Sequence, residues 1–326
     1  MLLFPEIHPE TRSDTSSRPI LGKKSMSEQK SSFTYEWLIM GSVLFWGLNV
    51  SFSKGVLTMM SPFAFNAFRF TLSTSLMAAL FFRTSLSDAK TEWTFIKANL
   101  LLLFGYGVFH HIVYQVSFVL GLRYASAGNV ALILATSPLW TALSAHLFGV
   151  EKLKANEWLG LGISLAGTIL VILGGQHSFS LAGDFMKGNL LALMAAMSWG
   201  VQTTLSKPML RKISPVGLTF STMLLSYPLH FLLVWWLDQG HLPLPTNGWA
   251  IGGVLFSGLG SIGIAYVFWN LGVKHIGAAR SAAFGNLAPL ISVLSSAWLL
   301  HESITWVKIL GGLCIITGIV VMRLKR

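Results

Sequence analysis

Apolar residues in this chain gather into ten runs, roughly 36–58, 62–83, 94–120, 124–147, 156–174, 186–206, 214–236, 249–271, 278–300 and 304–322. Each is near the ~20 residues that a helix needs to cross the hydrocarbon core of a bilayer. Most connections between runs are short, so neighbouring helices are expected to pack as antiparallel hairpins. The longest connections are 84–93, 175–185 and 237–248. Residues 1–34 break the pattern, being rich in Ser, Pro and charge. They lack the apolar core of a signal peptide and read as a disordered cytoplasmic tail.

Composition supports a membrane class. Of 326 residues 53% are apolar and 11% charged, where soluble domains carry about a quarter charged. The net charge of +11 does not point to nucleic acid, because the basic residues lie between the apolar runs. With the N-terminus in the cytoplasm, 17 of the 23 Lys and Arg residues fall on the inner side, as the positive-inside rule expects, so both termini are expected in the cytoplasm. Cys314 is the single cysteine, inside the last run. It reads as a buried, inert thiol.

The chain also repeats itself. Trp46-Gly-Leu-Asn49-Val-Ser-Phe-Ser53-Lys54 through Ser61-Pro62 recurs as Trp199-Gly-Val-Gln202-Thr-Thr-Leu-Ser206-Lys207 through Ser214-Pro215, with 7 of 17 positions identical. At an offset of 151, Gly121 pairs with Gly272, Pro138 with Pro289, Glu151 with Glu302, Gly160 with Gly311 and Gly167 with Gly318. Each half (35–174 and 175–326) holds five runs. Five is odd, so the second half must enter the membrane upside down relative to the first. The expected architecture is an all-α integral membrane protein of ten transmembrane helices in two inverted five-helix repeats. Such repeats commonly place a substrate site near the midplane between them.

Trp46, Asn49 and Ser53 share one helix face, as do Trp199, Gln202 and Ser206. Polar groups facing lipid are costly, so both faces are expected to point inward and to meet across the pseudo-two-fold axis. They could line a cavity or knit helices together. Tyr114, Gln115, Tyr266, Trp269 and Asn270 could likewise line it. Pro138 and Pro289, near the centres of their runs, suit a bend or gate. Arg69 lacks an acidic partner in the core and reads as a structural contact or an anion-binding group. All twelve carboxylates lie in tails, loops or run ends, so ion coupling would use a histidine (His110, His111 or His230) or be absent, with His110 the coupling candidate. Neither cofactor nor metal is expected. Gly258-Leu-Gly260-Ser-Ile-Gly263 matches a dinucleotide fingerprint but lies within an apolar run, where small residues serve helix packing. No catalytic constellation is present.

The doubled pattern resembles the EamA-type carriers of the drug/metabolite transporter superfamily. The matching pieces are Trp46-Gly-Leu-Asn49 with Lys54, Ser61-Pro62, Arg69-Phe70, Gly121 to Ala127, Pro138 and Glu151. Trp199-Gly, Pro215, Gly272, Ala278, Pro289 and Glu302 carry the second copy. The resemblance, over about 36–322, implies ten helices, a bacterial inner membrane and, often, export of amino acids or other small metabolites. The expected partners are a small-molecule substrate, the lipid bilayer and, through GxxxG-like patches, a second copy in a homodimer. A sugar-nucleotide or drug-type carrier, and a non-transporting membrane scaffold or accessory subunit, are the alternatives.

Overall fold

The computed structural model describes residues 26–83, 86–149, 154–174, 183–276, 281, 284–285 and 287–323. Among these no strand occurs. Helix α1 is Met26–Val56 and α2 is Pro62–Phe82. Next come a short polar helix, α3 (Leu86–Ala98), and a long apolar one, α4 (Leu100–Tyr124). Helix α5 (Ala127–Leu147), α6 (Ala155–Gly174), α7 (Asp184–Met209) and α8 (Pro215–Leu237) follow. The last three are α9 (Gly248–His275), α10 (Leu287–Leu299) and α11 (Trp306–Arg323).

A helix therefore lies over each of the ten apolar runs. Five of them, α2, α4, α5, α8 and α9, are long and apolar enough to cross a membrane. The apolar stretches of α6, α10 and α11 are shorter, Trp158–Leu170, Leu287–Leu299 and Trp306–Gly318. Two details differ from the sequence reading. Helix α1 is described from Met26 on, so it takes in residues 26–34 of the stretch expected to be a disordered tail; residues 1–25 lie outside the described part. The run expected from 94 is split, because the chain breaks at Asn99 between α3 and α4.

The repeated Ser-Pro pairs show why the helices start where they do. Ser61 and Ser214 are N-caps whose hydroxyls accept from Ala64 N (3.0 Å) and Gly217 N (2.9 Å). The prolines that follow occupy the first turn, where a missing N–H costs nothing.

The repeats do not stand apart. The principal neighbours of α1 are α9 and α10, and those of α7 are α4 and α5; α2 packs on α8 and α9, and α6 on α11. Each side of the molecule is thus built from both halves. The equivalence extends to single residues. Ser51 Oγ meets Ser295 Oγ at 2.7 Å, and their repeat-mates Thr204 and Ser144 meet at 2.8 Å. A Cβ on Gly47 would stand 2.6 Å from Ile291 Cβ, and one on its mate Gly200 would stand 2.6 Å from Thr141 N, beside Ile291's mate Trp140. Gly167 packs on Gly311 and Cys314, while its mate Gly318 packs on Gly160 and Ser164. These small residues are used within the chain, letting backbones approach where lipid supplies no hydrophobic drive.

The outside is apolar. Leu101, Trp235, Trp298 and Trp306 are all more than 70% exposed, while Arg69, Ser73, Asn129 and Asn189 are wholly buried. An apolar outside, with polar side chains kept among the buried residues, suits a lipid solvent.

Candidate functional site

The interior polar groups converge where α4 and α9 both widen into π segments. Val108–Tyr114 in α4 and Phe256–Ile264 in α9 are π-helical, a local widening that often marks a functional site. The two segments are repeat-mates, and so are the glycines beside them. Gly107 lies against the backbone of Thr222, and Gly258 against the backbone of Arg69, which is Thr222's counterpart at the 153-residue offset.

A cavity of about 20 Å³ opens beside these segments, walled by Tyr106, His110 and His111 of α4, Trp199 and Gln202 of α7, and Leu218, Thr219 and Thr222 of α8. Tyr266, Trp269 and Asn270 of α9 complete it. That volume is about one water, so the walls are nearly closed on each other. They close as aromatic rings packed edge to face or tilted against one another. Trp46 and Trp199 meet edge to face at 5.1 Å, Trp46 and Trp269 at 5.1 Å, and His110 and Tyr266 at 5.1 Å.

The polar atoms of the wall are held in defined roles. Tyr106 OH donates to Gln202 Oε1, and Asn270 Nδ2 donates to Thr219 Oγ1 at 3.3 Å. Thr222 Oγ1 gives its proton to backbone carbonyls, Leu218 O at 2.7 Å foremost. His111 Nε2 lies 3.0 Å from the same hydroxyl. Nδ1 of both His110 and His111 is buried without a partner in the structure.

Behind this wall lies Arg69, wholly buried. Its Nε and Nη2 donate to Asn66 Oδ1 (2.8 and 2.5 Å), Nη2 also to Gln115 Oε1 (2.6 Å), and Nη1 to Ser257 Oγ (3.1 Å). Phe65 lies under the guanidinium at 4.8 Å. Gln115 Nε2 then donates to Tyr266 OH at 2.7 Å, linking the arginine to the cavity wall. Every hydrogen-bond acceptor of Arg69 in the structure is neutral.

The expected site residues fall into two groups. Trp199, Gln202, His110, Tyr266, Trp269 and Asn270 line the cavity. Trp46 touches it by ring contact and donates from Nε1 to Ser261 O at 2.9 Å, and the Tyr114 ring lies tilted 5.2 Å from that of Trp199. Asn49 and Ser53 lie elsewhere, bonded to one another along α1 at 3.2 Å, and Gln115 serves Arg69. The two polar faces thus meet through their tryptophans and not through their amides. Ser206 bonds to Thr203 O on its own helix. Pro138 breaks its run outright, since Ala127–Leu134 ends before it and Ser137–Leu147 starts anew with the proline in its first turn. Pro289 lies in α10, which is described from Leu287 on. Tyr106, Thr219 and Thr222 were missed from sequence. The signal for Thr222 was available, since the repeat pairs it with Arg69. Glu151 lies outside the described residues; Glu302 accepts from Ala127 N and Gly128 N at 2.7 and 2.9 Å.

A membrane-buried aromatic site shared by two interlocked repeats is the arrangement of a membrane transporter. The sequence profile described as the EamA-like transporter family matches residues 33–173 and 186–324, and the chain belongs to that family. It is 25% identical over 293 residues to a protein of Archaeoglobus fulgidus named "Uncharacterized transporter", covering 89% of this chain and 99% of that one. YyaM of Bacillus subtilis, named likewise, is 24% identical and covers 86% and 91%. The "WAT1-related protein At5g64700" of Arabidopsis thaliana is 27% identical over 80% of each chain. A solved crystal structure shares the fold, with a TM-score of 0.63, 22% identity and coverage of 89% and 96%.

Proposed function

We propose that this protein is a secondary carrier that moves small amphipathic metabolites such as amino acids by alternating access, as an exporter or exchanger. In this reading the ten helices over the apolar runs all cross a bacterial inner membrane, the second repeat is inverted, and both termini are cytoplasmic. The single observation that carries it is the closed aromatic and amide wall lying between the two repeats. Packed indoles and phenols offer area for an apolar side chain; Gln202, Asn270 and Tyr106 offer hydrogen bonds that would fix a polar head. Two interlocked groups (α1, α2, α9 and α10 against α4, α5, α7 and α8) can rock about the Trp46–Trp199 contact and open either end in turn.

Reconstitution of the full chain into liposomes with a metabolite panel, with and without a pH gradient, tests this. Gln202→Leu keeps the approximate shape and removes the amide's acceptor and donors, and should lower uptake of the transported compound about tenfold. No uptake of any compound by the native protein would overturn the reading. His110 is the coupling candidate, since its ring faces the cavity and Nδ1 has no protein partner. If protons are coupled through it, His110→Ala abolishes the response to the gradient and leaves gradient-free exchange running. Gradient-insensitive flux in the native protein would remove histidine from the mechanism.

A further inference from the structure

We infer that Arg69, with Asn66, Asn49 and Gln115, forms a second ligand subsite that binds a carboxylate when the Ser61 end of the molecule opens. This rests on the alternating-access reading above and adds to it a charge class and a side.

The argument runs through the repeat. Exchanging the conformations of the two halves turns each residue's environment into that of its counterpart. The counterparts of Trp199, Gln202, Thr219, Thr222, Tyr266 and Tyr106 are Trp46, Asn49, Asn66, Arg69, Gln115 and Ser257. The present cavity, near the Ser214 end, thus predicts a matching cavity near the Ser61 end lined by those six. In this structure that second cavity is collapsed, and its polar groups satisfy one another. Arg69 bonds to Asn66, Gln115 and Ser257, and Asn49 accepts from Ser53. A satisfied polar cluster of this size deep in an apolar bundle is costly to build for packing alone. As the folded-up wall of an alternate cavity it has a use.

The two linings differ in one respect that matters for cargo. Thr222 is neutral where Arg69 carries a charge. A guanidinium whose acceptors are amide and hydroxyl oxygens retains its full attraction for an anion, and its planar fork matches a carboxylate bidentately. An entering carboxylate would take the place of the Asn66 and Gln115 oxygens. Selectivity for carboxylate is therefore expected from the Ser61 side and not from the Ser214 side.

The test uses the full chain with Cys314→Ser in proteoliposomes. Asn66→Cys and its counterpart Thr219→Cys are labelled with a membrane-impermeant maleimide applied from one side at a time. The two positions should label from opposite sides. The probes are matched pairs of amino acids and their decarboxylated amines, phenylalanine and phenylethylamine among them. At least one acid should slow labelling at position 66 about tenfold more than its amine does, with no such difference at position 219. Arg69→Gln should erase the discrimination and Arg69→Lys should retain part of it. An inert position 66 in a protein that transports would overturn the subsite while leaving the carrier reading intact, as would equal protection by every acid and amine. Labelling at neither position, in a protein that moves no compound, would instead sink the carrier reading itself.

Discussion

The Glu302→Gln protein should open at its Ser61 end about 10- to 100-fold more often than the native protein. Glu302, in the second repeat, accepts from the two leading backbone N–H groups of α5 in the first. These donors have no partner within their own helix, and the helix dipole adds to the carboxylate's hold. A glutamine has one acceptor oxygen and turns an NH2 toward the other donor. Losing one charge-assisted bond and weakening its neighbour costs about 1.5–3 kcal/mol, which is the stated shift in population. The same end carries other ties. Asp238 accepts from Ser61 Oγ across the repeats, and Lys54 Nζ donates to Leu122 O and Ala125 O at 2.5 and 2.7 Å. Arg123 reaches the carbonyl of Leu57. The ties left in place keep the change a shift in equilibrium rather than a loss of fold. Reaction of Asn49→Cys with an impermeant thiol reagent measures it, and an unchanged rate would show that this clasp does not hold the end shut.

The opposite end supplies the matching control. Glu92, on α3, accepts from Ser214 N and Ser214 Oγ, both at 2.9 Å, so Glu92→Gln should expose Thr219→Cys and not Asn49→Cys. Carboxylates from one repeat thus close on helix starts of the other at both ends. Two of the acidic residues at run ends thus tie one repeat to the other.

What the sequence disclosed and what it hid follow one rule. Features written at a fixed offset were legible, because the repeat forces like residues into like contacts. Gly47 and Gly200, Ser51 and Thr204, and Gly167 and Gly318 each find counterpart partners. Features set by local backbone register were hidden. Trp46 and Trp199 meet as expected, but Asn49 and Gln202 do not, since Tyr106 takes Gln202 and Ser53 takes Asn49. A 3.6-residue face drawn on α1 and α7 could not foresee that Tyr106, from α4, would take the Gln202 amide oxygen. The surroundings of Arg69 were hidden for a different reason. Its acceptors come from α2, α4 and α9, and no spacing along the chain brings Asn66, Gln115 and Ser257 together. Helix α3 escaped notice because its polar composition gives no apolar run to count.

Two glycines in α4, two residues apart, should respond to alanine with opposite signs. At Gly107 an added Cβ would lie 2.6 Å from Thr222 O and 3.3 Å from its carbonyl carbon. Those are backbone atoms of a neighbouring helix and cannot swing aside as a side-chain end could. Gly107→Ala must push α8 away from α4, an overpacking cost of about 1–3 kcal/mol. At Gly105 nothing lies within 4 Å of the added atom, so Gly105→Ala meets no neighbour and gains up to about 1 kcal/mol from a stiffer unfolded chain. Thermal unfolding of the two variants in the same detergent should place Gly107→Ala several degrees below the native protein and Gly105→Ala at or above it. Gly107→Ala should also slow transport, because the displaced helix carries Thr219 and Thr222 in the cavity wall. If both variants melted with the native protein, the close approach of α4 to α8, and with it the correspondence between Gly107–Thr222 and Gly258–Arg69, would be wrong.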